Sequence, residues 1–345
     1  MNEFNPNKVK MVRLLRCLSM DQLVARMVEH PVSKMTISKI ERGLILPSEH
    51  ILSAIARACM VPVEYFYKKD MEIGALEFRF KDGTPDRKRR EIEAQVISAV
   101  QDYMELNSNI PDQICFKSPL KGTTVSIYPD LEFAAEALRK KWSIGLQPIF
   151  SVYELLRDYG IRILEVDIDD TYVAGVSTFV NSSVPVIVIN SRNNVTTERK
   201  RFTALHELAH LLLRFRELSD NQFATYLQSL PELPYRVTLK LPDKECLCEC
   251  FASAMLLPES CAFRRFGKFR SDIHIDELVN VRQTYGISIA ATIHRLHTLR
   301  IIDDIQYHRY FEEIISPNIL EAGLGSFPIQ ETADEISMLQ LRLCE

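Results

Sequence analysis

The stretch RFTALHELAHLLL, residues 201–213, decides how the rest of the chain is read. Phe202, Leu205, Leu208, Leu211, Leu212 and Leu213 recur at helical spacing and predict a buried helix from Thr197 to Arg214. His206 and His210 stand four residues apart on it, one above the other, so both imidazoles can reach one ion. Glu207 directly follows the first histidine, where it can contact a metal-bound water without occupying the metal. A buried helix is also the rigid platform such a site needs. The competing reading is a core helix with two capped or solvent-facing histidines.

A catalytic zinc takes three protein ligands and keeps one position for water. ECLCECFASAMLLP, residues 245–258, supplies the candidates for the third. Read as a helix, it carries Glu245 and Glu249 on one face. One carboxylate can bind the ion while the other holds a histidine ring. Carboxylates on an otherwise apolar helix are costly unless paired or bound to an ion. Glu245 is the preferred ligand, and Glu249 is the alternative or the outer partner.

Upstream, Leu131–Trp142 reads as an amphipathic helix. Ser151-Val-Tyr-Glu154 is a capping box that opens a helix ending at Gly160. Strand candidates are Ile161–Ile168, Val173–Val180 and Val184–Asn190, the last almost continuously apolar and so buried.

These motifs together resemble the ImmA/IrrE family of zinc metallopeptidases. Asn190, Arg201, Phe202, Thr203, His206, Glu207 and His210 match the family's order, as do Glu245, Phe251, Ala252 and Pro258. Cys248 stands where the family usually has Ala, and Glu249 where it usually has Asn. Tyr285-Gly-Ile-Ser, Arg295-Leu and Leu299–Ile302 are similar to the family's closing helices. The resemblance implies a zincin-like domain with a small β-sheet. One Zn2+ would be held by His206, His210 and Glu245, and Glu207 would be the base for the water that attacks a peptide carbonyl. Tyr172 and His294 are candidates for a further oxyanion donor, each weighed against a structural role.

The front of the chain reads differently. Val9–Leu18, Met20–Val28, Lys34–Arg42 and a segment from Pro47-Ser48 to Ala58 are short helices, with Ser19 and Ser33 as N-caps and Gly43 past a helix end. Two short helices joined by a turn suit a helix-turn-helix, whose second helix fits the major groove. Lys34, Met35, Thr36, Ser38 and Lys39 would face DNA, with Arg42 beside them, while Ile37 and Ile40 face inward. LSMDQLVARM…VSKMTISKIERG…PS resembles the Cro/C1 (XRE) helix-turn-helix family over residues 9–66. Met20 replaces the family's usual Gln, and extra residues within 29–32 lengthen the turn. A bundle used only for protein contacts is the competing reading.

Residues 1–70 carry 11 Lys+Arg against 7 Asp+Glu, a balance of +4, and the remainder carries 31 against 39, a balance of −8. A basic head on an acidic body suits a DNA-contacting domain joined to something else. Across 345 residues, hydrophobic residues make up 46% and charged residues 26%, which excludes disorder as the main theme. No apolar run approaches the ~18 residues of a membrane span. The opening residues lack a signal peptide's apolar stretch, so a cytoplasmic location and reduced, mostly buried cysteines are expected.

The expected class is therefore α+β, mostly α. Residues 1–70 would form the helix-turn-helix domain and 71–130 a helical connection containing Asp86–Leu106. Residues 131–316 would form the peptidase domain and 317–345 a tail with an amphipathic end at Ile336, Leu339 and Leu343. The resemblances imply a zinc endopeptidase of gene regulation. Its partners would be double-stranded DNA and a protein substrate such as a repressor-like regulator, with a homodimer reading paired half-sites. The alternative is a transcriptional regulator, or a toxin–antitoxin-like component, whose metal domain senses or binds a partner without efficient proteolysis.

Overall fold

The computed structural model describes residues 3–68, 70–107, 114–192, 195–232, 237–319 and 321–333. Ile336, Leu339, Leu343, Cys344 and Pro234 lie outside the described residues. The architecture is α+β and mostly helical, as expected. It divides into two compact units. The first comprises Met1–Asp112 with Val166–Val173 and Thr178–Ser183. The second comprises Gln113–Glu165, Ala174–Ser177 and Val184–Glu345.

In the first unit, α1 (Pro6–Leu15), α2 (Met20–Arg26), α3 (Lys34–Glu41) and α4 (Glu49–Cys59) are followed by a 3-10 turn at Val63–Tyr67 and by α5 (Asp86–Asn107). Local sequence explains their starts. Ser19, Ser33 and Ser48 each accept a backbone N–H three residues on, which satisfies one otherwise orphaned donor. Gly43, at φ +66°, lets the chain turn out of α3 as expected. Val9, Val12, Leu23, Ile37, Ile40, Ile55 and Phe66 form a closed core. Arg13 makes a bidentate pair with Glu41 (2.6 and 3.0 Å) and also donates to the Leu18 carbonyl.

Three helix boundaries in this unit move by two or more residues, and one of them is the end of α1, at Leu15 rather than Leu18, where Cys17 takes a φ of +53°. α1 begins at Pro6 rather than Val9, because the Asn5 side chain caps it and Pro6 suits a first helical position. α2 stops at Arg26, since the Met27 N–H closes on the Val24 carbonyl and Val28 is exposed. In α5 the predicted stripe of Ile92, Val96, Val100 and Tyr103 is buried. Lys8 Nζ donates to the α5 side chain of Gln101 at 2.7 Å. Ile73 forms an antiparallel bridge with Val180, a pairing for which the local sequence carries no signal.

The second unit runs through β1 (Thr124–Val125), α6 (Tyr128–Lys141), α7 (Val152–Asp158), β2 (Arg162–Val166, as far as Glu165), β3 (Gly175–Val180, as far as Ser177) and β4 (Val184–Asn190). It continues with α8 (Thr197–Leu212), β5 (Arg214–Phe215), α9 (Asp220–Ser229), α10 (Lys244–Leu256), α11 (Glu259–Phe266), α12 (Ile275–Tyr285), α13 (Ile289–Thr298) and α14 (Asp304–Tyr310). β2, β4 and β3 form a three-stranded sheet in that order, and β1 pairs with β5 in parallel. α10 packs against both α8 and α6. This packing explains why an apolar helix can carry charged side chains: one face is core and the other lines a site. Among the described residues no single helix is long and apolar enough to cross a membrane.

Residues from the C-terminal stretch hold this unit together. Glu331, fully buried, pairs with Arg201 of α8 at 2.5 Å and accepts the Val152 and Tyr153 N–H groups at the start of α7. Ser151 caps α7 as expected through the Glu154 N–H, and its hydroxyl donates to Glu331. Glu321 does the same for α13, accepting from Ile289 and Ala290, and pairs with Arg282. Arg201 also donates to the carbonyls of Ile149, Phe150 and Gly286, with its guanidinium over the Phe327 ring. A Cβ at Gly286 would lie 2.4 Å from Arg201 Nε, so only glycine leaves room there.

The cysteine expectation is corrected in part. Cys59, Cys248 and Cys261 are buried, but Cys17 and Cys115 are exposed and Cys246 and Cys250 are half-buried. Cys17 and Cys115 lie in connections rather than on the core face of a helix, which is why burial does not extend to them.

Candidate functional site

His206 and His210 project from α8 towards α10, where Glu245 meets them from the first turn after the Asp243 cap. His206 Nε2 lies 3.1 Å from Glu245 Oε2 and 3.2 Å from His210 Nε2. His210 Nε2 lies 3.5 Å from Glu245 Oε1. Hydrogen bonds from His206 and then His210 hold the Glu245 carboxyl well below the usual range, so it stays ionised. The alternative glutamate, Glu249, is exposed.

This donor set fits a zinc ion. Ligands at about 2.0–2.1 Å from a tetrahedral zinc lie about 3.3–3.4 Å from one another. The two imidazole nitrogens lie 3.2 Å apart, and each has a different Glu245 oxygen beside it, Oε2 at 3.1 Å from His206 and Oε1 at 3.5 Å from His210, all close to that spacing. Two imidazoles and one carboxylate also form a borderline-soft set that suits zinc.

Glu207 is buried on the same helix, and burial raises its pKa above the ordinary carboxylate value. Ser177 of β3 donates its hydroxyl to Glu207 Oε2 at 2.8 Å. The approach of α8 to β3 depends on Gly175. A Cβ there would lie 2.7 Å from Thr203 Cγ2, 3.1 Å from the Val188 carbonyl oxygen and 3.3 Å from Glu207 Cγ. A glycine inside a strand is a sequence signal of such an approach, whereas Ser177 is one polar residue in an alternating strand and carries none.

Cys248 is fully buried, and its Sγ lies 3.7 Å from His210 Nδ1, the ring nitrogen opposite the one facing Glu245. His206, His210 and Cys248 also bring ligand atoms within 4.8 Å of one another. Burial pushes the Cys248 thiol up, away from the thiolate. The sequence signal for this contact is the departure at Cys248 from the family's usual Ala.

Several other residues serve the frame. Asn190 ends β4, donating its N–H to the Ala174 carbonyl and accepting from Arg192 N–H through its side chain. His294 bonds to the Tyr307 hydroxyl at 2.8 Å and packs on Phe311. Tyr172 belongs to the first unit, with Lys81 Nζ over its ring.

In the first unit, α3 buries Ile37 and Ile40 and leaves Lys34, Met35, Lys39 and Arg42 exposed. Thr36 and Ser38 are half-buried, and Thr36 Oγ1 lies 2.9 Å from Ser33 Oγ. Lys34 pairs with Asp21 of α2 at 2.7 Å, with both side chains largely in solvent. The exposed face is basic and polar, the chemistry that meets phosphates and base edges.

Residues 9–66 match the family model described as Helix-turn-helix, and residues 156–297 match the model described as IrrE N-terminal-like domain. A search of curated proteins finds no match. The chain therefore carries an XRE-type helix-turn-helix domain followed by an ImmA/IrrE-like peptidase domain.

Proposed function

We propose that the protein is a DNA-binding zinc endopeptidase of gene regulation, which cleaves a repressor or similar regulatory protein. The observation that carries the reading is the convergence of His206, His210 and Glu245 beside the buried carboxyl of Glu207. His206, His210 and Glu245 would hold the zinc. When bound, zinc supplies a Lewis acid and lowers the pKa of a water from 15.7 towards about 7. Glu207 takes the proton of the attacking water and passes it to the leaving amine. A carboxyl whose proton affinity burial has raised suits both steps. Ser177 fixes the Glu207 rotamer by donating to one oxygen, which leaves the other for proton transfer.

The competing reading is a metal sensor. A sensor would close the site with a fourth protein ligand, for which Cys248 is the available donor. Its sulfur meets Nδ1 of His210 rather than Nε2, which favours the open, catalytic arrangement. On the DNA side, α3 would enter the major groove with Lys34, Met35, Thr36, Ser38, Lys39 and Arg42 along it.

Metal analysis of the purified chain beside His206→Ala tests the centre: loss of one equivalent of zinc is expected, and equal metal in both refutes it. Glu207→Gln should keep its zinc and lose about 10²–10⁴-fold in peptide hydrolysis. Undiminished cleavage by that variant would remove the base assignment.

A further inference from the structure

We propose that the thiol of Cys248 is a positioning residue for the metal centre, acting through His210. A neutral imidazole carries one N–H, and the nitrogen that takes a metal must be the other. Nε2 of His210 faces His206 and Glu245, and once that nitrogen holds a metal in place of a proton, the ring proton belongs on Nδ1. The acceptor placed at Nδ1 is Cys248 Sγ, at 3.7 Å, within sulfur hydrogen-bonding range.

The placement follows from the helix. Cys248 lies three residues after Glu245 on α10, so the two share a face, and α10 packs along α8. One helix thus presents the carboxylate to one edge of the His210 ring and the thiol to the other. Metal-bound histidines usually give this N–H to a carboxylate or a backbone carbonyl. A thiol is a weaker acceptor, so it orients the ring and selects the tautomer while adding little to the ligand's basicity. This assignment rests on the metal-centre reading above and adds to it a role for one of the residues at which the chain departs from its family's pattern.

The test uses the full chain loaded with Co2+. Metal affinity is measured by competition with a chelator, and absorption spectra are recorded for wild type, Cys248→Ala and Cys248→Ser. Cys248→Ala should bind Co2+ about tenfold more weakly. Cys248→Ser, which keeps an acceptor at that place, should recover most of the loss. The wild-type spectrum should lack a thiolate-to-cobalt charge-transfer band. Equal affinity in wild type and Cys248→Ala would overturn the proposal, and so would a serine variant no better than the alanine one. A thiolate-to-cobalt band would overturn it differently, by making Cys248 a ligand. No Co2+ uptake by the wild type would instead bring down the metal-centre reading itself.

Discussion

The helix-turn-helix region and the peptidase-like body solve the same problem at different ranges. Both must satisfy helix N-termini and bury an arginine. At the front, α2, α3 and α4 are started by their own serines, Ser19, Ser33 and Ser48. The buried arginine there, Arg13, finds Glu41 only 28 residues away. In the body, α7 and α13 recruit Glu331 and Glu321 from the far end of the chain in addition to their local serine caps. Arg201 reaches 130 residues forward for its partner. The front is thus held by contacts that form early along the chain. The body, and with it the helix carrying His206 and His210, depends on residues beyond the segment that matches the peptidase-family model.

The sharpest way to break this comparison is Glu331→Ala. It strands the fully buried Arg201 and leaves the Val152 and Tyr153 N–H groups without their acceptor, so a loss of about 3–5 kcal/mol is expected. Chemical denaturation of the full chain should show an earlier transition and earlier zinc release, with duplex binding retained. If the loss is below about 1 kcal/mol, as for an exposed pair, the C-terminal stretch is an ornament and the contrast fails.

Gly175→Ala comes next. The new Cβ collides with Thr203 and the Val188 carbonyl, an overpacking worth about 1–3 kcal/mol. Because the collision pushes α8 off β3, zinc affinity and peptide hydrolysis should fall together. A variant that is destabilised yet fully active would show that the contact between Ser177 and Glu207 does not depend on this close approach.

At the front, Ser33→Ala should cost about 1 kcal/mol, the value of a local cap, and nothing in the body. Zinc content is the control that makes this a statement about range. The smallest effect is expected for Lys39→Ala. If Lys39 meets a phosphate, the slope of log affinity against log salt should shrink by about 0.9 on a generic duplex. An unchanged slope would take Lys39 off the DNA face without disturbing the fold.

The sequence by itself determines most of the front, because serine caps, the Ile37 and Ile40 face and the turn at Gly43 act within a few residues of where they stand. It determines the two histidines and Glu207 for the same reason, since a helix turns at a known rate. It narrows the candidate third ligand to Glu245 or Glu249 and prefers Glu245, although both lie on one helical face. The contact that supports it is tertiary: α10 packs on α8 with Glu245 beside the imidazoles and Glu249 exposed. The partners of Glu207, His210 and Arg201, namely Ser177, Cys248 and Glu331, are tertiary too. Each lies on another element, tens of residues or more away in the chain, and no local periodicity records which side chain will arrive there once the elements pack.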